Sequence, residues 1–318
     1  MKKGLVSIII VNYNGKGLLK ALVDSIKKSS FKNYEIIVVD NSSSDGSQEL
    51  VRKNYRDLKL VENEKNLGYS GINSALEHCN GEDILFLNND MELDKDCIKF
   101  LVESINSDKE VVMAAPRLVN FYDRKLKSGG TWVSRAFYNG HIKGNGDARE
   151  IPYLGVGLIR RNFVDLFGYL FEPDYFIYAE DLDLGLRIRL NGKKAVFEPK
   201  AVMYHMHAVT TQKKSKAFTA FLMERNLLTT FFRIFGLNNL ILFFPYILFM
   251  RLLAIIKDIL SFRFATAFSR IRAIFWILLN FDTILKKRNE AQKFRKAGDS
   301  YILKVFSEKY LFRKKFIV

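Results

Sequence analysis

The first hundred residues alternate between short apolar runs and amphipathic stretches. Leu5 to Val11 is a continuous, β-branched-rich run bounded by a polar turn, the pattern of a strand buried on both faces. Gly17 to Lys28 carries Leu18, Leu22 and Ile26 at helical spacing. Glu35 to Val39 predicts a second strand ending at Asp40, and Ser47 to Asn54 a helix. Leu58 to Glu62 predicts a short third strand, Gly71 to His78 a helix, and Asp83 to Leu87 a fourth strand ending at Asn88-Asn89-Asp90. This order predicts an α/β fold, a mostly parallel sheet flanked by helices on both faces.

Beyond it, Phe121 to Tyr153 is rich in glycine and polar residues and predicts a long excursion with short strands and little buried surface. Within Tyr175 to Asn191, Leu182, Leu184, Leu186, Ile188 and Leu190 alternate with charges and predict a helix stopped by Gly192. Ala195 to Phe197 and Ala201 to Tyr204 read as two last strands, and Glu224 to Phe235 as a helix.

Charge divides the chain. Residues 213–318 hold 21 Lys and Arg against 6 Asp and Glu, a net of +15, while residues 1–212 are nearly balanced at +1. A basic tail implies an anionic partner, nucleic acid or a lipid surface. The residues between the charges decide. Ile234 to Met250 carries no charge, and Phe262, Phe264, Phe268, Phe275 and Trp276 stand beside Arg263, Arg270 and Arg272. That is too apolar for nucleic acid, and no nucleic-acid motif is present. Amphipathic helices in the interface of an anionic membrane fit it. Arg251, Lys257 and Asp258 argue against a span. A helical bundle packed on the first domain is the competing expectation. The division predicts one domain over 1–212, with halves at about 1–115 and 116–212, and a helical region over 213–318.

The two cysteines, Cys79 and Cys97, form no Cys-x-x-Cys pair, which favours a reducing compartment over a disulfide or zinc framework. Lys2 and Lys3 precede an apolar run, but no small-residue cleavage site follows, so a buried strand explains it better than a signal peptide.

In open α/β sheets ligands bind beyond the carboxyl ends of the strands. Three predicted strands end in polar residues: Asn12 to Asn14, Asp40 to Ser44, and Asn88 to Asp90. One such end is an ordinary turn; three on one edge point to a site. Gly15-Lys16-Gly17 lacks a third glycine at dinucleotide-binding spacing, which speaks against an oxidoreductase.

Five segments, in this order, carry a family resemblance: Val6 to Gly15, Val38 to Ser47, Asn66 to Asn73, Phe86 to Asp90, and Glu180 to Arg187. Together they resemble family 2 of the inverting glycosyltransferases, with the GT-A fold, nearest to rhamnosyltransferase-like enzymes of bacterial cell-surface glycan synthesis. The resemblance implies a nucleotide diphosphate sugar donor and a glycan acceptor, here lipid-linked, at the cytoplasmic face of the cell membrane. It implies that Asp40 hydrogen-bonds the nucleotide base and that Asn12, Tyr13, Asn14, Asn66, Gly68, Asn73 and Asn89 line the donor site. It assigns the general base to Asp181 beside Glu180. It implies a divalent cofactor, Mg²⁺ or Mn²⁺, on Asp90 and His205, with His207 as the fallback. Relatives often carry Asp-x-Asp where this chain has Asn88-Asn89-Asp90, so one carboxylate is missing.

Each residue also has a plainer reading. Asp40 caps a turn, Asp181 caps a helix, and Asp183 pairs with Arg187 four residues later. For the last pair the plainer reading is preferred. Phe176, Tyr178 and Trp132 stack on sugars or fill the core. Two rival functions remain: a nucleotidyltransferase, for which only Lys16 hints at a triphosphate loop, and a non-catalytic membrane-bound glycan-binding relative, against which Glu180, Asp181 and Asp90 speak.

Overall fold

The computed structural model describes residues 1–142, 149–206 and 215–307. In chain order its elements are β1 (Lys2–Asn12), α1 (Lys16–Lys27), β2 (Tyr34–Asp40), α2 (Ser47–Asn54), β3 (Lys59–Glu62), a 3₁₀ segment (Gly68–His78), β4 (Gly81–Asn88) and β5 (Met91–Leu93). Next come α3 (Cys97–Asn106), β6 (Val111–Asn120), β7 (Leu126–Ser128), β8 (Thr131–Val133), β9 (Asn139–His141), β10 (Arg149–Glu150), β11 (Gly157–Arg160) and α4 (Arg161–Phe167). The remainder is α5 (Glu180–Leu190), β12 (Lys194–His205), α6 (Lys216–Ile234), α7 (Leu237–Leu260), α8 (Phe264–Leu279), α9 (Phe281–Gln292) and α10 (Asp299–Leu303).

The main sheet runs β10-β12-β6-β11-β4-β1-β2-β3, with β5 on β12 and β7 on β6. Strands β3, β2, β1 and β4 are parallel, as their apolar runs predict. β11 is antiparallel to both neighbours, and β12 returns to run parallel with β6. Register matters for the site. Asn12 pairs with Asp40 and Val11 with Asn88, so the polar ends of β1, β2 and β4 finish side by side. β5 pairs with β12 antiparallel, His205 opposite Met91, which brings His205 to Asp90.

Several expectations are corrected. Residues 68–78 form 3₁₀ turns rather than an α-helix. Side chains there bond outward, Asn73 to the 170–171 backbone and Ser74 to Asn63, in competition with a regular ladder. The two predicted last strands are one, β12, with a register shift between Glu198 and Val202. The helix read from Leu182 to Leu190 is α5; it begins at Glu180, directly after Tyr178 and Ala179 in left-handed backbone. The 121–153 excursion does contain short strands, yet Trp132, Val133, Phe137 and Tyr153 are buried within it. Trp132 is therefore core and presents no face to a sugar.

The core has two parts. One surrounds the parallel sheet. The other joins Val133, Phe137, Tyr153, Leu182, Leu186 and Leu190 to Leu227, Phe231, Phe235, Ile247, Ile277 and Ile284. The C-terminal helices thus pack onto residues between 133 and 190 rather than trailing from the first domain. Buried ion pairs reinforce the seam. Arg233 meets Glu172 at 2.7 Å and Asp183 at 2.8 Å, and Arg187 meets Asp183 at 2.8 Å, the i,i+4 pairing its spacing predicts. Arg251 meets Glu224 at 2.9 Å and also reaches the carbonyl of Ala136. Arg251 and Asp258 face inward and Lys257 is half-buried, so two of the three charges are withdrawn from the outer face of α7. That face exposes Leu242, Phe249, Leu253, Ile256 and Leu260. Among the described residues, 18 of 22 exposed large apolar side chains fall within 237–285, a concentration that marks a contact surface.

Candidate active site

The strand ends are laced together by side chains. Asn12 donates to Asp40 at 2.8 Å and accepts from Asn89 at 2.8 Å, so β1, β2 and β4 share one network. Gly15 belongs to this packing, since a Cβ there would lie 1.9 Å from the Asn89 amide nitrogen. Asn14 takes a left-handed φ of 50°, and its side chain accepts from the backbone of Ser44 at 2.8 Å. Tyr13 is half-buried and Asn14 exposed at this edge.

Asp40 is buried and richly served. Its two oxygens accept from Asn12, from the Ser43 backbone and hydroxyl, and from Gln48. Four donors fill about the four lone-pair sites of a carboxylate. Asp40 thus organises the turn that follows β2. A base N–H reaches this carboxylate only by displacing one of the four.

The 63–73 loop packs against it. Asn41 donates to the carbonyl of Gly68 at 2.7 Å and accepts from Asn63 at 2.8 Å. Asn66 accepts from the backbone of Gly68 at 2.8 Å. Gly68 has φ +67°, and a Cβ there would sit 1.8 Å from the carbonyl oxygen of Phe176. Only glycine meets both demands. Asn73 is placed elsewhere: its amide donates to Phe171 and its oxygen accepts from the backbones of Leu170 and Phe171. It is a brace for that segment, not a group turned to a donor.

At the end of β4, Asp90 Oδ2 and His205 Nε2 are 3.0 Å apart, both largely buried. Behind the imidazole, Lys127 Nζ lies 2.5 Å from His205 Nδ1. An ammonium there donates to Nδ1 and leaves the ring proton on Nε2; with Lys127 as the neutral amine, Nδ1 carries the proton and Nε2 keeps the lone pair that a metal ligand needs. Burial lowers the Lys127 pKa to about 8, against the opposing pull of Asp90. Lys127 sits in the glycine-rich excursion, where no periodicity marks it, and the sequence reading missed it. His207 lies outside the described residues.

Asp181 is the second residue of α5, with Glu180 buried before it. Burial pushes the Asp181 carboxyl up to about 6, while the Leu182 N–H, 2.8 Å from Oδ1, favours its anion. Gly155 faces it: a Cβ there would be 3.5 Å from Asp181 Oδ2. Tyr69 joins the two ends of the site. Its hydroxyl donates to the Gly155 carbonyl at 2.6 Å and its N–H to the Phe176 carbonyl at 2.8 Å. Its pKa stands well above 10, from burial first and then from the charges of Glu180, Asp181 and Asp90. Glu180, Asp181 and Asp90 thus all lie within electrostatic reach of this one phenol. Tyr153, also buried, feels Asp181 as well.

A parallel sheet with an inserted antiparallel strand, acids at a strand end and acids opening a facing helix together define a GT-A domain. The chain belongs to glycosyl transferase family 2, whose description matches residues 7–164. A low-salt glycan biosynthesis hexosyltransferase of Haloferax volcanii is 33% identical over 195 residues, covering 58% of this chain and 61% of that protein. A UDP-Glc:alpha-D-GlcNAc-diphosphoundecaprenol beta-1,3-glucosyltransferase of Escherichia coli is 35% identical over 88 residues, 27% of this chain and 35% of that one. The matched stretch spans less than two thirds of either relative. Among solved structures, a mannosyltransferase from Pyrobaculum calidifontis in complex with GDP-Man and Mn²⁺ superposes with TM-score 0.52 at 19% identity. It covers 94% of this chain and 84% of that one, a likeness of fold.

Proposed function

We propose that the protein transfers a sugar, with inversion, from a nucleotide diphosphate sugar to a hydroxyl of a lipid-linked glycan. The observation that carries this is Asp181: a carboxylate raised to about 6 by burial, at a helix start, facing Gly155, whose carbonyl the Tyr69 hydroxyl holds. At neutral pH it is ionised yet basic enough to accept a proton. The acceptor oxygen forms a bond to the anomeric carbon from the face opposite the diphosphate. Its proton passes to Asp181, the carbon–phosphate oxygen bond breaks, and nucleoside diphosphate leaves. Tyr13, Asn14, Asn66, Gly68 and Asn89 flank the donor's place at the strand ends. Asp40 both organises the turn and, on exchanging a donor, receives the base.

The donor set suits a divalent ion. Asp90 and His205 converge, and among the described residues no cluster of three His, Cys, Asp or Glu exists, so phosphate and water oxygens complete a shell. Mg²⁺ and Mn²⁺ bind in that way. Held there, such an ion neutralises the leaving diphosphate.

The outer face of α7 and α8 rests on an anionic membrane at its cytoplasmic side. α7 is 24 residues long and apolar enough to cross a membrane, but its inner face is tied to the catalytic half by Arg251 and by the Tyr138 hydroxyl on the Met250 carbonyl. A helix docked this way lies along the surface.

A panel of sugar nucleotides, assayed for release of nucleoside diphosphate with and without Mg²⁺ or Mn²⁺, tests the reading. One donor should be turned over, and Asp181→Asn should lose ~10²–10⁴-fold in rate while still binding it. Turnover by Asp181→Asn near the wild-type rate would sink the assignment.

A further inference from the structure

The segment entering α5 holds two successive residues in left-handed backbone, Tyr178 at φ 72° and Ala179 at φ 63°. Neither is glycine. Side-chain-bearing residues occupy this region at a cost, and two in a row persist only where their surroundings hold them. What holds them lies on α6. Asn226 has no exposed surface, and its amide donates to the carbonyls of Ile177 at 3.2 Å and Tyr178 at 2.7 Å. Its oxygen accepts from Arg225 Nε at 2.8 Å, which fixes the amide's orientation. Tyr175 donates its hydroxyl to the Asn226 carbonyl at 2.9 Å, and the Tyr178 hydroxyl meets Thr219 at 3.2 Å. The Ala179 carbonyl then accepts from the Asp183 N–H at 2.9 Å, closing the first turn of the helix that carries Asp181.

We infer that Asn226 is a positioning residue for the general base, acting through the strained Tyr178–Ala179 turn. The inference rests on reading Asp181 as that base. The chemistry of the side chain is specific. One NH₂ group supplies two hydrogens to two carbonyls, whereas an aspartate of the same shape supplies none. Without the clamp the two residues relax toward right-handed or extended backbone, and α5's first turn moves with them. Small displacements of a reacting group are costly in rate. Among the described residues the strand-end network of β1, β2 and β4 has no hydrogen bond to Asn226, and only the Gly68–Tyr69 loop, on the Phe176 carbonyl, comes near the clamp, so donor affinity should change less than kcat.

Asn226→Ala and Asn226→Asp, each checked for wild-type-like folding by circular dichroism, should lower kcat by ~10–100-fold. The donor KM should stay within about threefold, because the strand-end contacts persist. The decisive variant adds Ala179→Gly to Asn226→Ala. Glycine takes a left-handed φ without strain, so the turn should re-form unaided and recover about tenfold or more of the lost kcat. A kcat within about twofold of wild type in Asn226→Ala overturns the proposal. So does a loss shared equally by kcat and donor binding that Ala179→Gly leaves unrelieved, since that is general damage. The two readings fail separately: an inactive Asp181→Asn with an active Asn226→Ala removes only the clamp, and an active Asp181→Asn removes the base whatever Asn226 does.

Discussion

Asp181 is the residue on which the chemistry turns, and its environment makes a pH prediction. Its carboxyl is raised to about 6 by burial. A general base works only when ionised, so kcat should climb with pH through about 6 and level off above it. The stability sign is opposite. A carboxyl whose pKa is raised on folding weakens the fold as pH rises through the unfolded value and then through 6. Asp181→Asn removes that penalty, so above pH 7 it should melt at or above the wild-type temperature while being inactive. A pH–rate profile with a limb near 4, or a destabilised Asp181→Asn, would show that the carboxylate is structural. Asp40, Asn73 and Lys127 show what one-dimensional reading leaves out. Position at a strand end was legible for Asp40; that four of its own neighbours would fill its oxygens was not. Asn73 and Lys127 owe their roles to segments 78 to 98 residues distant, and no local pattern encodes such a meeting.

Helices and strands were legible where periodicity was strong and packing ordinary. β1, β2 and β4 follow from their apolar runs, and α1 from its spacing. The failures have physical causes. Residues 68–78 are 3₁₀ because their polar side chains bond away from them, and the two predicted last strands are one, joined across a register shift between Glu198 and Val202. α5 carries a test of which force rules an element. Gly185 lies in its interior, where alanine would improve helix propensity by about 1 kcal/mol. But a Cβ there would sit 1.8 Å from the carbonyl oxygen of Pro152, a backbone atom that cannot swing aside. The clash should win. Gly185→Ala should destabilise by about 1–3 kcal/mol, read in a denaturant melt, rather than stabilise. A higher midpoint would mean that α5 and the Pro152–Tyr153 segment separate easily.

For the whole molecule, the shift in charge and greasiness near residue 212 suggested two modules, and the apolar helices suggested a lipid surface. The packing modifies the first suggestion, since Leu227, Phe231 and Asn226 complete the catalytic half. Removing everything after residue 212 would therefore damage the cleft along with the anchor. The sharper test of the outer face is Leu242→Glu with Phe249→Glu, two outward positions on α7. The wild-type chain should sediment with anionic liposomes, less at high salt but not negligibly, because each basic residue adds on the order of 1 kcal/mol and apolar burial is unscreened. The double variant should stay in the supernatant. Equal sedimentation of both would move the contact surface elsewhere. The buried ion pairs across the seam have one more implication, for recombination among relatives. Arg233 draws its partners, Glu172 and Asp183, from before the compositional break, and Lys287 reaches back to Glu172. A chimera spliced at that break inherits one half of each pair, and a stranded buried charge costs about 3–5 kcal/mol. Hybrids that exchange acceptor preferences should instead be joined upstream of Glu172, so that the acids travel with the arginine and lysine that answer them.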